Sequence, residues 1–208
     1  MKYVDFTSEE LWIQFLPGDH LALDAIVKRH YNLLYQYGCK FTRDAALVKD
    51  CIQDLFLYLW HKRNAINETA SVEHYLMKAL RRRLGKALTK SGSTEGLSFI
   101  EFKDANATPD DQLIQQEQRA ALADRIRKCI LQLSKRQQEI IYLRFYLNAS
   151  AAEIADIMQL NRQSVYNLLN DALNKLRRHT GAYFKPTIAL SIVLILVLSQ
   201  LWISDLAI

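Results

Sequence analysis

The chain is poor in the residues that make turns. Its 208 residues include six glycines and three prolines, well below the roughly 12% of an average protein. A many-stranded sandwich or barrel needs those residues at its corners, so a mostly helical chain is left. Cysteine is scarce as well: Cys39, Cys51 and Cys129 are an odd number with no Cys-x-x-Cys spacing. That excludes a disulfide framework and a cysteine zinc site. Each falls among apolar residues of a helical pattern and reads as a reduced core thiol of a cytosolic protein. The five histidines are scattered. There is no phosphate-binding loop, no nucleophile elbow and no dinucleotide-binding glycine motif. No cofactor, metal or catalytic centre is expected, and the chain is not expected to be an enzyme. Residues 1–10 carry acids and no long apolar run, unlike a secretory leader.

Half the residues are hydrophobic, which excludes global disorder. The net charge of +5 conceals an alternation: −2 over residues 1–73, +6 over 74–90, −5 over 91–118, +7 over 119–185 and −1 over 186–208. Two basic blocks separated by an acidic stretch suggest two polyanion-binding lobes on a linker.

Apolar periodicity places the helices. Ser8 is expected to cap a short helix carrying Leu11, Trp12, Phe15 and Leu16, stopped by Pro17-Gly18. Asp19 caps a second, with Ala22, Ile26, Leu33, Leu34 and Tyr37 inward. Thr42 is expected to cap a third, with Leu47, Val48, Ile52, Leu55, Phe56 and Leu59 inward. Ser71 caps a fourth, where Tyr75, Leu76, Ala79, Leu80 and Leu84 lie among basic residues. Residues 1–90 thus form a small bundle. Residues 91–118 lose the pattern and read as a linker, longer than a compact domain usually tolerates; a short extended piece is expected at 97–102. Periodicity returns at Leu122, Ile126, Ile130 and Leu133, and Ser134 caps a helix with Ile140, Ile141 and Leu143 inward.

A helix over 149–160, a turn and a longer helix from Arg162 to Arg178 give the helix-turn-helix plan within residues 119–180. Ile154, Ile157, Val165, Leu168, Leu169 and Leu176 would hold the two helices together. Asn161, Arg162, Gln163, Ser164, Tyr166 and Asn167 open the second helix, and Arg177 and Arg178 extend it. Arg suits guanine, Asn and Gln suit adenine, and Ser suits phosphate or base. A helix N-terminus itself attracts phosphate.

These residues carry a resemblance. Leu133-Ser134, Glu139, Arg144, Glu153-Ile154-Ala155 and Ser164-Val165 resemble the C-terminal domain of the extracytoplasmic-function sigma factors of bacterial RNA polymerase. VKDCIQDLFLYLW from Val48 to Trp60 is similar to the acid, Gln, acid, Phe and Trp run of the family's first domain. The stretch from Ser71 to Leu88 looks like its promoter-opening segment. Three departures stand out. Gln159 occupies a turn position often held by Gly, Tyr166 and Leu168 stand where many members carry Lys or Arg, and Arg81-Arg82 replaces a common Arg-Asn pair.

The resemblance implies an all-α protein of two helical domains. Asp50, Gln53 and Asp54 would meet the basic clamp helices of core RNA polymerase. Lys78, Arg81, Arg82, Arg83 and Lys86, with Tyr75 as a stacking surface, would hold the opened −10 strand. The C-terminal domain would read the −35 element of promoter DNA, and an anti-sigma factor would be a further partner. The acidic linker would lie in a basic polymerase channel or act as a plain tether. A membrane-anchored helix-turn-helix regulator without polymerase, or a purely protein-binding helical adaptor, are the competing readings.

The family pattern does not account for the last segment. Residues 186–204 contain no charged residue, close to the ~20 needed to span a bilayer. Lys175, Arg177, Arg178 and Lys185 precede it and only Asp205 follows, an arrangement that keeps the preceding chain in the cytoplasm. An apolar run without an amphipathic pattern suits a transmembrane helix tethered to the inner membrane, against the alternative of a helix buried on protein.

Overall fold

The computed structural model describes residue 3 and residues 5–90 and 128–180 of the chain. Every regular element among them is helical. The linker at 91–118, the extended piece at 97–102, Leu122 and Ile126, and the apolar segment at 186–204 lie outside the described residues. Among the described residues, no helix is long and apolar enough to cross a membrane. The chain divides into two compact units, Met1–Phe102 and Lys103–Ile208.

The first unit contains α1 (Ser8–Phe15), α2 (His20–Cys39), α3 (Ala45–Lys62), a 3-10 turn (Arg63–Ala65) and α4 (Val72–Lys90). Capping side chains set the starts. Thr7, not Ser8, caps α1: its hydroxyl takes the Glu10 N–H at 3.2 Å, and Glu10 takes the Thr7 N–H at 2.7 Å. This reciprocal box needs the acid three residues on, which fits Thr7 and leaves Ser8 as the first helical residue. The Ser8 hydroxyl is instead 2.9 Å from Nε2 of His30, a buried polar residue inside α2. Burial pushes the His30 imidazole below its ordinary range, Arg29 adds to the effect and Glu9 opposes it. Gly18 makes the α1–α2 turn at φ 109°, a conformation that favours glycine. Asp19 then caps α2 through the Leu21 and Ala22 N–H groups at 2.8 and 3.2 Å. At α3 the cap is Asp44, which takes the Leu47 N–H at 3.0 Å; Thr42 accepts the N–H of Asp44 itself at 3.1 Å. Thr42 thus shapes the approach and does not cap the helix. Ser71 caps α4 through the His74 N–H at 3.3 Å.

The core of this unit is the meeting of four apolar stripes: Leu11, Trp12 and Phe15 from α1, Ala22, Ile26, Leu34 and Tyr37 from α2, Val48, Ile52, Leu55 and Leu59 from α3, and Leu76, Met77, Leu80 and Leu84 from α4. Leu33 and Leu47, expected inward, are only half-buried. The Trp12 indole donates to the Asn67 carbonyl at 3.2 Å, so the loop before α4 is tied to α1.

The second unit contains α5 (Lys135–Ile141), which runs into a π-helical turn (Tyr142–Tyr146), then α6 (Ala151–Met158) and α7 (Arg162–Thr180). Ser134 caps α5 in a box with Gln137, with bonds of 3.3 and 3.0 Å. Lys175 of α7 donates to the same Gln137 side chain at 3.1 Å. In the π turn, Arg144 reaches forward to the Ala149 carbonyl at 3.0 Å and Tyr142 stacks on Tyr146. Ser150 caps α6 in a box with Glu153, so this helix starts two residues later than the pattern suggests. It ends at Gln159, whose φ of 56° is left-handed, with the Leu160 N–H bonded back to the Ala155 carbonyl at 2.8 Å. That closure is the usual glycine terminator built with a glutamine, at a backbone cost of about 1 kcal/mol.

Gly38 of α2 packs closely on α3: an added Cβ there would lie 2.6 Å from Cγ1 of Val48. Gly38→Ala is therefore expected to destabilise the protein by about 1–3 kcal/mol through overpacking. Urea unfolding should show a smaller penalty for Gly38→Ala in a Val48→Ala background, because that second change removes the obstructing methyl.

Candidate functional site

With the α3 stripe buried, its opposite side is forced into solvent. Asp50, Gln53 and Asp54 are all exposed there. The same face continues at three- and four-residue spacing into Leu57 and Tyr58, which are 49% and 47% exposed. A surface with two carboxylates beside two large apolar side chains offers both charge-assisted hydrogen bonds and apolar area to a basic partner. The sequence reading reached the carboxylates and stopped short of Leu57 and Tyr58, although the spacing from Asp50 and Asp54 already placed them on that face.

On α4, burial of Val72, Leu76, Met77, Leu80, Leu84 and Leu88 sorts the cations to the remaining surface. Arg82 and Lys86 are exposed, and Lys78, Arg81 and Arg83 are half-buried. Half-burial of such long side chains is consistent with their apolar stems lying on the protein. Tyr75 is also half-buried, its ring centroid 5.0 Å from that of Trp12, and burial pushes its phenol up. It presents part of a ring to solvent, less than a free stacking platform. The α3 and α4 surfaces adjoin: the Arg83 guanidinium sits 4.7 Å from the centroid of the Tyr58 ring, within cation–π range. Burial pushes the Cys51 thiol up, with Asp54 and Asp50 adding to the shift and Arg83 opposing it, which is the electrostatic trace of the same adjacency.

In the second unit, Val165, Ala172 and Leu176 bury one side of α7, while Leu168 and Leu169 are half-buried. Arg162, Gln163, Tyr166, Asn167, Arg177 and Arg178 are exposed, and Ser164 is half-buried. Tyr166 is 56% exposed, the most open of the large apolar side chains identified as exposed. Asn161 is exposed but occupied: its side-chain oxygen takes the Ser164 N–H at 2.7 Å and caps the helix. The Gln163 amide donates to the Asn167 side-chain oxygen at 3.0 Å. Apart from Arg162, the first turns of this surface are amides and an aromatic ring; the other cations, Lys175, Arg177 and Arg178, come at the far end.

The structure therefore presents Asp50, Gln53 and Asp54 together on α3, the basic residues on α4 beside them, and the polar residues of α7 on the separate second unit. Among the described residues, no group of three or more His, Cys, Asp or Glu side chains could hold a metal ion.

The family model described as Sigma-70 region 2 matches residues 26–94, and the model described as Sigma-70, region 4 matches residues 123–176. Together they take in more than half of the chain. The chain is 27% identical over 155 residues to the ECF RNA polymerase sigma factor SigL of Mycobacterium tuberculosis, covering 74% of this chain and 85% of SigL. Among solved structures, CnrH in complex with the cytosolic domain of CnrY is similar at TM-score 0.55 and 20% identity, over 82% of this chain and 95% of that one. The sigma factor RpoE of Bartonella quintana, crystallised with the anti-sigma factor NepR, is similar at TM-score 0.54 and 16% identity, over 77% of this chain and 97% of that one. These two structural likenesses speak to the fold. The two matched regions fall one in each helical unit, in the same order as the α3–α4 surface and the α7 surface, and with them the chain belongs to the sigma-70 family of RNA polymerase sigma factors, in its extracytoplasmic-function group.

Proposed function

We propose that this sigma factor docks on core RNA polymerase through the α3 face, holds the opened −10 strand on α4 and reads the −35 duplex with α7. Asp50, Gln53 and Asp54, extended by Leu57 and Tyr58, are the polymerase-binding residues. Lys78, Arg81, Arg82, Arg83 and Lys86 neutralise phosphates of the −10 strand, with half-buried Tyr75 beside the bases. Arg162, Gln163, Ser164, Tyr166 and Asn167 face the −35 element, Asn161 fixes the start of their helix, and Arg177 and Arg178 add backbone contacts. The chain supplies recognition, and the polymerase supplies the chemistry. The observation that carries this reading is the adjacency of the carboxylate–apolar face of α3 and the cationic face of α4, joined at Tyr58 and Arg83. A helix-turn-helix protein acting without polymerase leaves that pair of surfaces without a role.

The domain plan that goes with this reading is residues 1–90 for polymerase and −10 binding, 91–118 as acidic linker, 119–180 for −35 binding and 186–204 as a membrane tether. The uncharged run at 186–204 and the cations before it support a chain held at the inner membrane with its DNA-binding units in the cytoplasm. Control by an anti-sigma factor is part of the proposal; RpoE of Bartonella quintana, of similar fold, is bound by one.

Run-off transcription with purified core polymerase tests the reading. The full chain should give a promoter-specific transcript, and the doubly substituted Asp50→Lys, Asp54→Lys chain should lose at least about tenfold of it, each lost charge-assisted contact being worth roughly 1.5–3 kcal/mol. Duplex binding without initiation by the unsubstituted chain would favour the polymerase-independent regulator. For the tether, removal of residues 186–208 should shift the protein from the membrane fraction to the supernatant; a full-length chain already found in the supernatant contradicts it.

A further inference from the structure

The start of α7 is low in charge and rich in amides. Asn161 is committed to capping, since its side-chain oxygen already holds the Ser164 N–H. Gln163 and Asn167 are four residues apart on the exposed side and are joined by a 3.0 Å hydrogen bond from Gln163 Nε2 to Asn167 Oδ1. The bond fixes two side chains that would otherwise be free to rotate. Beyond that bond the pair keeps acceptor capacity on Gln163 Oε1 and on the second lone pair of Asn167 Oδ1, and donor capacity on Asn167 Nδ2 and the second Gln163 N–H. Exchanging oxygen and nitrogen in both amides reverses the bond and again leaves both donor and acceptor capacity.

In the major groove adenine shows a donor and an acceptor side by side, N6–H and N7, while guanine shows two acceptors, cytosine a donor and thymine an acceptor with a methyl group. A joined pair that offers both a donor and an acceptor therefore satisfies both groups of adenine, whereas against guanine its acceptors stay unpaired. We infer that Gln163 and Asn167 act as a single pre-ordered reader of an adenine in the −35 element. This rests on the assignment of α7 as the −35-reading helix. Because the pair acts as a unit, removing either amide releases the other, so both single changes affect the same base position. A pair that only stiffened the helix surface would leave base preference where it was.

The test uses the full chain with core polymerase on a promoter library randomised through the −35 element, with transcripts counted for each sequence. The unsubstituted chain should prefer adenine over guanine at one position by roughly five- to hundredfold, the range of a good two-point base contact. Gln163→Ala and Asn167→Ala should each reduce that preference to less than about threefold at the same position and leave the other positions unchanged. The double variant should be no worse than the singles. An adenine preference that survives both substitutions, or an unsubstituted chain that prefers guanine where the two substitutions act, overturns the amide reader and leaves the sigma function standing. An unsubstituted chain that initiates from no member of the library overturns both.

Discussion

The burial of the aliphatic stripe on α4 is the constraint on which the first unit depends. Leu76, Met77, Leu80 and Leu84 are fully buried against α2 and α3. At about 1.5–3 kcal/mol for each large apolar side chain removed from water, four of them outweigh any preference that surface charges have among themselves, because an exposed ion pair contributes at most about 1 kcal/mol. Hydrophobic burial therefore decides which way the helix faces, and the cations follow. Arg82 and Lys86 end up in solvent, and Arg83 is held over Tyr58. The same burial turns the carboxylates of α3 outward, so one packing solution sets the polarity of two neighbouring surfaces.

The second unit reaches a comparable result by local means. Capping boxes at Ser134 and Ser150 fix where α5 and α6 begin. The left-handed Gln159 ends α6, and Asn161 starts α7 two residues later. Lys175 bound to Gln137 ties the far part of α7 to the start of α5. The surface of α7 that remains open is consequently one of amides and a tyrosine, with few charges in its first turns. Such a surface draws less on phosphate attraction than on hydrogen bonds to base edges, the component of DNA binding that carries sequence information.

Much of this was legible in the sequence because it rests on short-range rules. Asp19, Ser71 and Ser134 cap the helices that their spacing indicated, and the buried stripes follow the three- and four-residue pattern. The misplacements have local causes. At Thr7 and Ser8 two adjacent hydroxyls compete, and Glu10 selects the one three residues before it. At Thr42 and Asp44 the carboxylate takes the cap and the hydroxyl supports it. His30 lies on the four-residue stripe of Ile26 and Leu34, but its contact with Ser8, like that of Arg144 with Ala149 in the π turn, is one that no periodicity encodes. For the candidate surfaces, the cations stood out by composition and the carboxylates through the family resemblance. The pairing of Gln163 with Asn167 was available as a spacing but not as a bond, and Asn161 looked like a base reader because the same oxygen serves either purpose.

The central claim is that the two units of one chain address two different promoter elements while bound to polymerase. Photo-crosslinking tests it most directly: a photoreactive residue is placed at exposed position 82 of α4 or 166 of α7, one at a time, in the assembled holoenzyme on promoter DNA. Position 82 should crosslink to the −10 region only when the strands are open, and position 166 to duplex near −35 whether they are open or closed. Crosslinks from both positions to the same element, or none to DNA from position 82 in the open complex, would contradict the account.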